Sequence, residues 1–370
     1  MKILHVINSM GRGGAERQLS NLLGPLTNLG VENSLVTLLP EQAYADQVIP
    51  YVTQYEVGLL QSGWLAAFPK LVHLARCVDV VHTQLPWSDI AGRLAALAAR
   101  RPAFSTLQST WYNHQNVQRL PPAARQRARV VKALDALTAR TARRLFAVSE
   151  ATRETYIREL KIPRDRIGVI PNAVDLTEFD PSRLGRRDAV RAALGFSPDS
   201  LAVLVVARFH QQKDHATGIA AVARAARQRP MHLYLVGSGP LEEHLRALAR
   251  ELDAPVSFLG LRDDVPSLLF ASDLFLLPTF FEGLSVALME AMAMGLPCIC
   301  SNIPENVEAG RDSVVYTPPG DVDALACRLK ELADGEAMRR DLGERARKRA
   351  QSFDARAVAA QFLRAIQSAL

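Results

Sequence analysis

The chain has 370 residues, 48% hydrophobic and 22% charged, with 44 Lys and Arg against 38 Asp and Glu for a net charge of +6. That length predicts two domains with a core each, and the composition is that of an ordinary globular protein. No apolar run reaches the roughly 18 residues that span a bilayer, and no basic segment interleaved with aromatics points to nucleic acid. The basic residues gather in helical patterns such as Ala123–Arg144 and Met338–Arg349. Solvated helix faces account for most of them, and contact with an anionic substrate or a membrane surface is the alternative.

Lys2–Ile7 is an apolar run that reads as a buried strand, and it breaks at Asn8-Ser9-Met10-Gly11-Arg12-Gly13-Gly14. Leu19, Leu22, Leu23 and Leu26 then share one helical face. A strand, a glycine loop and a helix open a Rossmann-like unit, although Glu16 holds the last position of a G-x-G-x-x-G and weakens a dinucleotide reading. Further strands are expected at Asn33–Leu39, Val78–His82, Ala103–Leu107 and Leu145–Val148, with helices between them. This alternation predicts a parallel sheet covered by helices. His82 and Gln108 fall at strand ends, and Trp111, Tyr112 and His114 follow on a loop.

Pro171–Ser200, rich in Pro, Asp and Gly, reads as a linker. A second series follows, with strands expected at Leu201–Ala207, His232–Val236, Val256–Leu259, Leu274–Leu277 and Pro297–Cys300. The helices between them are expected at Ala216–Gln228, Leu241–Leu252, Val265–Ala271 and Leu284–Met294. Gly320–Leu370 reads as helical. Two doubly wound parallel sheets imply a cleft, with ligands at the C-terminal ends of the strands.

Several loops at such ends carry chemistry. Arg208 and Lys213 follow the first strand of the second series, where two cations neutralise a diphosphate without a metal. Val236-Gly237-Ser238-Gly239-Pro240 is either a close-approach loop for a nucleoside or a plain turn. Glu282 precedes Gly283, Leu284 and Ser285 and an apolar helix that carries Glu290. In a helix that spacing puts two carboxylates on one face, and the free N–H groups at the helix start suit a phosphate. Acids suit sugar hydroxyls and the helix start suits a diphosphate, so a nucleotide sugar satisfies both. Cys298 and Cys300 read as free core thiols, and Asp321 of Asp321-Val322-Asp323 reads as a helix N-cap rather than a metal ligand.

These residues resemble the retaining glycosyltransferases of the GT-B fold, close to glycosyltransferase family 4. The resemblance also takes in Gly13-Gly14-Ala15-Glu16, Ala147-Val148-Ser149-Glu150, Ile170 to Asp175 and Phe258-Leu259-Gly260, and so runs over essentially the whole chain. It implies two Rossmann-like domains facing a cleft. Residues 1–175 would bind the acceptor, residues 176–350 would bind the nucleotide sugar, and 351–370 would cross back to the first domain. Arg208 and Lys213 would hold the diphosphate, Glu282 the transferred sugar, Glu290 the ribose, and the backbone of Gly283, Leu284 and Ser285 phosphate and sugar. Gly13 and Gly14 would approach the diphosphate and Gly237 the base. Gln108 stands where relatives carry a histidine near the sugar, with His114 the nearby substitute. The expected donor is a UDP-sugar, with GDP open. The expected acceptor is a glycan or lipid-linked hydroxyl, bound between Trp64 and Arg144, in cell-surface polysaccharide or glycolipid synthesis. No metal or cofactor is expected, and the setting is expected to be cytoplasmic, with peripheral membrane contact through Arg125–Arg144 as the alternative. A non-catalytic nucleotide-sugar-binding protein and a nucleotide-sugar epimerase of the same fold are the competing readings.

Overall fold

The computed structural model describes residues 1–110, 112–113, 117–118 and 122–370, the side chain of Ser62 excepted. The chain divides into two compact units, Met1–Ala173 with Ala355–Leu370, and Val174–Asp354.

The first unit runs β1 (Lys2–Ile7), α1 (Gly14–Asn28), β2 (Glu32–Thr37), β3 (Val52–Glu56), α2 (Trp64–Arg76), β4 (Val80–Gln84), α3 (Pro86–Ala99), β5 (Ala103–Leu107), α4 (Pro122–Ala139), β6 (Arg144–Ala147), α5 (Glu150–Leu160) and β7 (Ile167–Val169). Its sheet is parallel in the order β3-β2-β1-β4-β5-β6-β7. The central strands β4 and β5, Val-Val-His-Thr-Gln and Ala-Phe-Ser-Thr-Leu, are buried along their whole length and show no alternation of exposed and buried residues, and His82, Thr83, Ser105 and Thr106 are hydrogen-bonded to one another inside. The two edge strands escaped the sequence reading for opposite reasons. β3, Val-Thr-Gln-Tyr-Glu, is largely solvated, and β7 has three residues.

The second unit runs α6 (Arg187–Ala193), β8 (Leu201–Val206), α7 (His215–Ala226), β9 (Met231–Val236), α8 (Glu242–Glu251), β10 (Val256–Gly260), α9 (Val265–Ala271), β11 (Leu274–Leu277), α10 (Val286–Ala293), β12 (Cys298–Ser301), α11 (Pro304–Gly310), β13 (Val315–Thr317), α12 (Val322–Asp334) and α13 (Glu336–Ala350). Its sheet order is β10-β9-β8-β11-β12-β13. The segment read as a linker is built into this unit from Val174 onward. Arg187 and Arg191 donate to the Phe270, Ala271 and Ser272 carbonyls at the end of α9 and pair with Asp273 at 2.6 and 3.0 Å. Guanidinium groups satisfy the orphan carbonyls of a helix C-terminus and its negative dipole end together. Asp321 caps α12 by accepting from the Ala324 N–H at 2.9 Å. Cys298 and Cys300 are buried free thiols whose pKa values burial pushes up.

The last helix, α14 (Ala355–Gln367), belongs to the first unit. Its buried face, Val358, Ala359, Phe362 and Ile366, follows helical spacing and packs with Ile3, Leu22, Val80, Phe104 and Phe146. Phe362 sits edge-on to His82 at 4.8 Å between ring centres.

Two polar networks lie inside that unit. Asn33 Oδ1 accepts from His5 Nε2 at 3.0 Å, so His5 Nδ1 accepts from His82 Nδ1 at 2.9 Å, and His82 Nε2 takes the Thr106 hydroxyl proton at 2.8 Å. Burial lowers the His5 pKa to about 4 and holds His82 well below its usual value, so both rings are neutral. His82 is therefore a core residue. In the second network Arg93, fully buried, pairs with Asp135 at 2.5 Å, donates to Ser105 at 2.8 Å and faces Asp89 at 3.7 Å. Thr83 donates to Asp89 at 2.5 Å. Two acids share one cation, and burial pushes the Asp89 pKa up to about 7 against the pull of Arg93.

Candidate active site

In the second unit, β8 ends in a basic loop. Arg208 is exposed, and Lys213 closes a short 3-10 turn, Gln211–Lys213. The loop is laced to its neighbour by backbone. The Phe209 N–H donates to the Ser238 carbonyl, the Leu241 N–H to the Phe209 carbonyl, and the Gly237 N–H to the Gly260 carbonyl at 2.8 Å. A Cβ on Gly237 would sit 2.1 Å from the Ala207 carbonyl oxygen, and one on Gly239 2.4 Å from that of Phe209. Of the two readings of this loop, the structure supplies close approach, but of backbone to backbone. The glycines seat the strand that presents Arg208.

The loop after β11 meets the basic loop from the other side. Gln212 Nε2 donates to the Phe281 carbonyl at 2.7 Å, and the Gln212 carbonyl accepts from the Phe280 N–H and the Thr279 hydroxyl, each at 2.9 Å. The Thr279 N–H donates in turn to Ser301 Oγ at 2.9 Å. This lacing puts Lys213 Nζ 2.6 Å from Glu282 Oε1, with Glu282 nearly buried. Gln212 and Thr279 were missed in the sequence because their side chains bond to main-chain carbonyls, which leave no residue-type signal at the partner.

Glu282 does not share a helix with Glu290. α10 begins at Val286, so Glu282 lies on the loop before it, and Gly283, Leu284 and Ser285 form the approach to the helix. Glycine and the N-cap preference of serine hold the start back, and Ser285 Oγ accepts from the Leu288 N–H at 3.4 Å. Glu290 is on the helix and 6% exposed. His210 Nδ1 accepts from the Gln212 N–H at 3.3 Å, and its pKa is lowered by burial and by Arg208 and Lys213. His215 opens α7 beneath the loop, edge-on to Phe209 at 5.0 Å, with its pKa lowered to about 4 by burial and then by Lys213.

In the first unit, Gly13 is the N-cap of α1 and Gly14 its first residue. A Cβ on Gly13 would meet the Glu16 carboxylate at 2.3 Å, so glycine there makes room for a side chain folded back on its own helix start. Gln108, half-buried past the end of β5, donates from Nε2 to Gln84 Oε1 at 2.9 Å. Trp111 and His114 lie outside the described residues. Tyr112 is fully buried, edge-on to Tyr156 at 5.5 Å, so it is a core side chain. Among the described residues no group of three His, Cys, Asp or Glu side chains could hold a metal ion.

This architecture is that of the GT-B glycosyltransferases. The structure of Anabaena HepE in complex with UDP-glucose superposes with a TM-score of 0.85 at 23% identity and 100% coverage of both chains. A family model described as Glycosyltransferase Family 4 matches residues 12–178, and one described as Glycosyl transferases group 1 matches residues 200–334. The Bacillus subtilis protein named "Putative glycosyltransferase EpsF" is 31% identical over 325 residues, 84% of this chain and 81% of that protein. A UDP-Gal:alpha-D-GlcNAc-diphosphoundecaprenol alpha-1,3-galactosyltransferase of Escherichia coli is 32% identical over 62% of this chain and 59% of its own length. The protein belongs to this family of glycosyltransferases, related to those of bacterial polysaccharide synthesis.

Proposed function

We propose that the protein transfers a sugar from a nucleotide sugar, a UDP-sugar before a GDP-sugar, to a hydroxyl of a glycan or lipid-linked acceptor, with retention at the anomeric carbon. The observation that carries this reading is the Lys213–Glu282 pair beside Arg208, a cation for phosphate and an acid for sugar hydroxyls joined at the C-terminal ends of neighbouring strands. UDP is favoured by the UDP and UDP-sugar bound to HepE and by the UDP-Gal in the name of the Escherichia coli relative.

As the glycosidic bond breaks, negative charge grows on the leaving diphosphate. Arg208, Lys213 and the N–H groups at the start of α10 stabilise that charge more in the transition state than in the ground state. The leaving phosphate takes the acceptor proton on the same face, which needs neither a protein nucleophile nor a metal. Glu290 binds the ribose, Glu282 the transferred sugar, and Gly13, Gly14 and Gly237 border the phosphates and base. The rival, a protein that binds nucleotide sugars without turning them over, draws on the non-titrating Gln108 at the strand end where the family resemblance leads one to expect a histidine. Measured donor consumption separates the two.

The same reading extends to a lipid surface. α4 exposes Val130, Leu134 and Leu137 on one stripe, with exposed Arg127, Arg129 and Arg140 around it. A basic amphipathic helix of this kind suits an anionic bilayer that presents a lipid-linked glycan. No helix among the described residues is long and apolar enough to cross a membrane. Flotation with anionic vesicles that is weakened by Leu134→Glu supports this contact, and flotation indifferent to anionic lipid counts against it.

The test of the whole reading is a thermal-shift panel of nucleotides and nucleotide sugars without added metal, run on wild type and Glu290→Ala. Stabilisation by one nucleotide that weakens in the variant is the expected result. A flat response across the panel would refute it.

A further inference from the structure

The strand order of the first unit reverses between β1 and β4, with β2 and β3 on one side and β5 to β7 on the other. Open parallel sheets bind ligands outside the C-terminal ends of their strands at such a reversal. Gln84 is the last residue of β4 at that point, and the loop from Asn8 to Gly13 leaves β1 beside it.

Most polar groups around Gln84 are spoken for. Asn8 Oδ1 accepts from the Ser88 N–H at 3.1 Å and the Ser88 hydroxyl at 2.6 Å. Thr83 is held by Asp89 and Ser105, and Thr106 by His82. Gln84 differs. It is 1% exposed, its Oε1 accepts from Gln108 Nε2, and its own Nε2 has no hydrogen-bond partner among the described residues. A buried donor left unpaired is costly and rare, and where it occurs in a native structure it asks for an explanation. Because Gln84 takes an N–H of Gln108, the Oε1 and second N–H of Gln108 remain for a ligand. Neither amide titrates.

We infer that Gln84 is a positioning residue for a neutral sugar-hydroxyl subsite in which Gln108 makes the contact. This rests on the transferase reading, and it extends that reading by naming a second residue and the chemistry of what it serves, an uncharged polyhydroxylated ring. Two rings have that chemistry, the transferred sugar and the acceptor.

The test uses the full chain with Gln84→Met, Gln84→Glu and Gln108→Ala. Affinities are read by thermal-shift titration with UDP, UDP-glucose, UDP-galactose, and free glucose, galactose and N-acetylglucosamine. UDP alone should bind wild type and all three variants alike. The gain of the UDP-sugar over UDP, or the affinity for a free sugar, should fall roughly tenfold in Gln84→Met and Gln108→Ala, the worth of one hydrogen bond. Loss confined to the UDP-sugar assigns the subsite to the transferred ring, and loss confined to the free sugar assigns it to the acceptor. Gln84→Glu keeps an acceptor for Gln108, so it should restore sugar affinity. It should also make the gain of the UDP-sugar over UDP, or the free-sugar affinity, vary with pH relative to wild type, because a buried carboxyl titrates with a raised pKa. A purely structural role would lower ligand-free stability and leave the difference between UDP and UDP-sugar intact. That outcome overturns the inference while the transferase reading stands. Absence of any nucleotide binding overturns both.

Discussion

The two sheets end their strands in different chemistry. In the second unit the loops after β8 and β11 carry Arg208, Lys213 and Glu282, with the last two joined at 2.6 Å. In the first unit β4 and β5 end in a pair of neutral amides, Gln84 and Gln108, and one ionic network is buried inside the unit, where Arg93 holds Asp89 and Asp135 out of solvent. Both units share one architecture, so the fold does not decide where charge goes. On the proposed reading, the charged loops of the second unit serve the diphosphate and, through Glu282, a sugar hydroxyl, whereas the amide pair of the first unit serves a sugar hydroxyl through neutral hydrogen bonds.

The sharpest way to break this contrast is at Lys213. Lys213→Met removes the cation, keeps the stem and takes away the ion pair to Glu282, and should lower turnover of the active nucleotide sugar on the order of 10²-fold. Steady-state rates check it, with unfolding midpoints to separate lost chemistry from lost fold. An unchanged rate would sever the charged loop from the reaction.

Gly237→Ala is next. Its Cβ would meet the Ala207 carbonyl at 2.1 Å on a backbone at φ 142°, which should cost about 3 kcal/mol and shift Arg208. Denaturant unfolding reads the first effect and nucleotide affinity the second. Loss of stability without loss of affinity would mean that the glycine loop serves the fold alone.

The buried side of the contrast is tested by pH. The folded pKa of Asp89, about 7, lies above its unfolded value, so the folded state binds this proton more tightly. Stability from this group is fully present below about pH 4 and is lost as pH rises towards 7, a span on the order of 4 kcal/mol. His5 acts in the opposite direction. Its folded pKa of about 4 is below the unfolded value, so its contribution is present above pH 6.5 and is lost as pH falls towards 4. Asp89→Asn should therefore flatten the loss between pH 5 and 8 and leave the acid-side loss in place. Unfolding midpoints across that range decide it.

The smallest effect is a control. Ser149 Oγ caps α5 by accepting from the Thr152 N–H at 3.1 Å, so Ser149→Ala should cost about 1 kcal/mol in stability and leave nucleotide affinity unchanged. A drop in affinity would show that the first unit contributes more to nucleotide binding than its neutral strand ends suggest.

Much of this protein was legible one residue at a time. The apolar runs that became β1, β5 and β11 had their bounds right because strands buried on both faces carry no polar alternation to blur them. The glycine loop, the basic loop and the acid before α10 stood out by residue type. The edge strands β3 and β13 did not, since Val-Thr-Gln-Tyr-Glu and Val-Tyr-Thr carry too little burial to leave a pattern.

What the tertiary structure alone decided is pairing. Lys213 meets Glu282 across 69 residues, His5 meets His82 across 77, and Gln108 meets Gln84 across 24. The residues of α14 announce an apolar face, but not that it packs on the first unit after the whole of the second has intervened. Local propensity and periodicity encode which face of an element is buried. The partner of that face is set by strand order and register, which the sum of all contacts decides together, and no short stretch of sequence carries it.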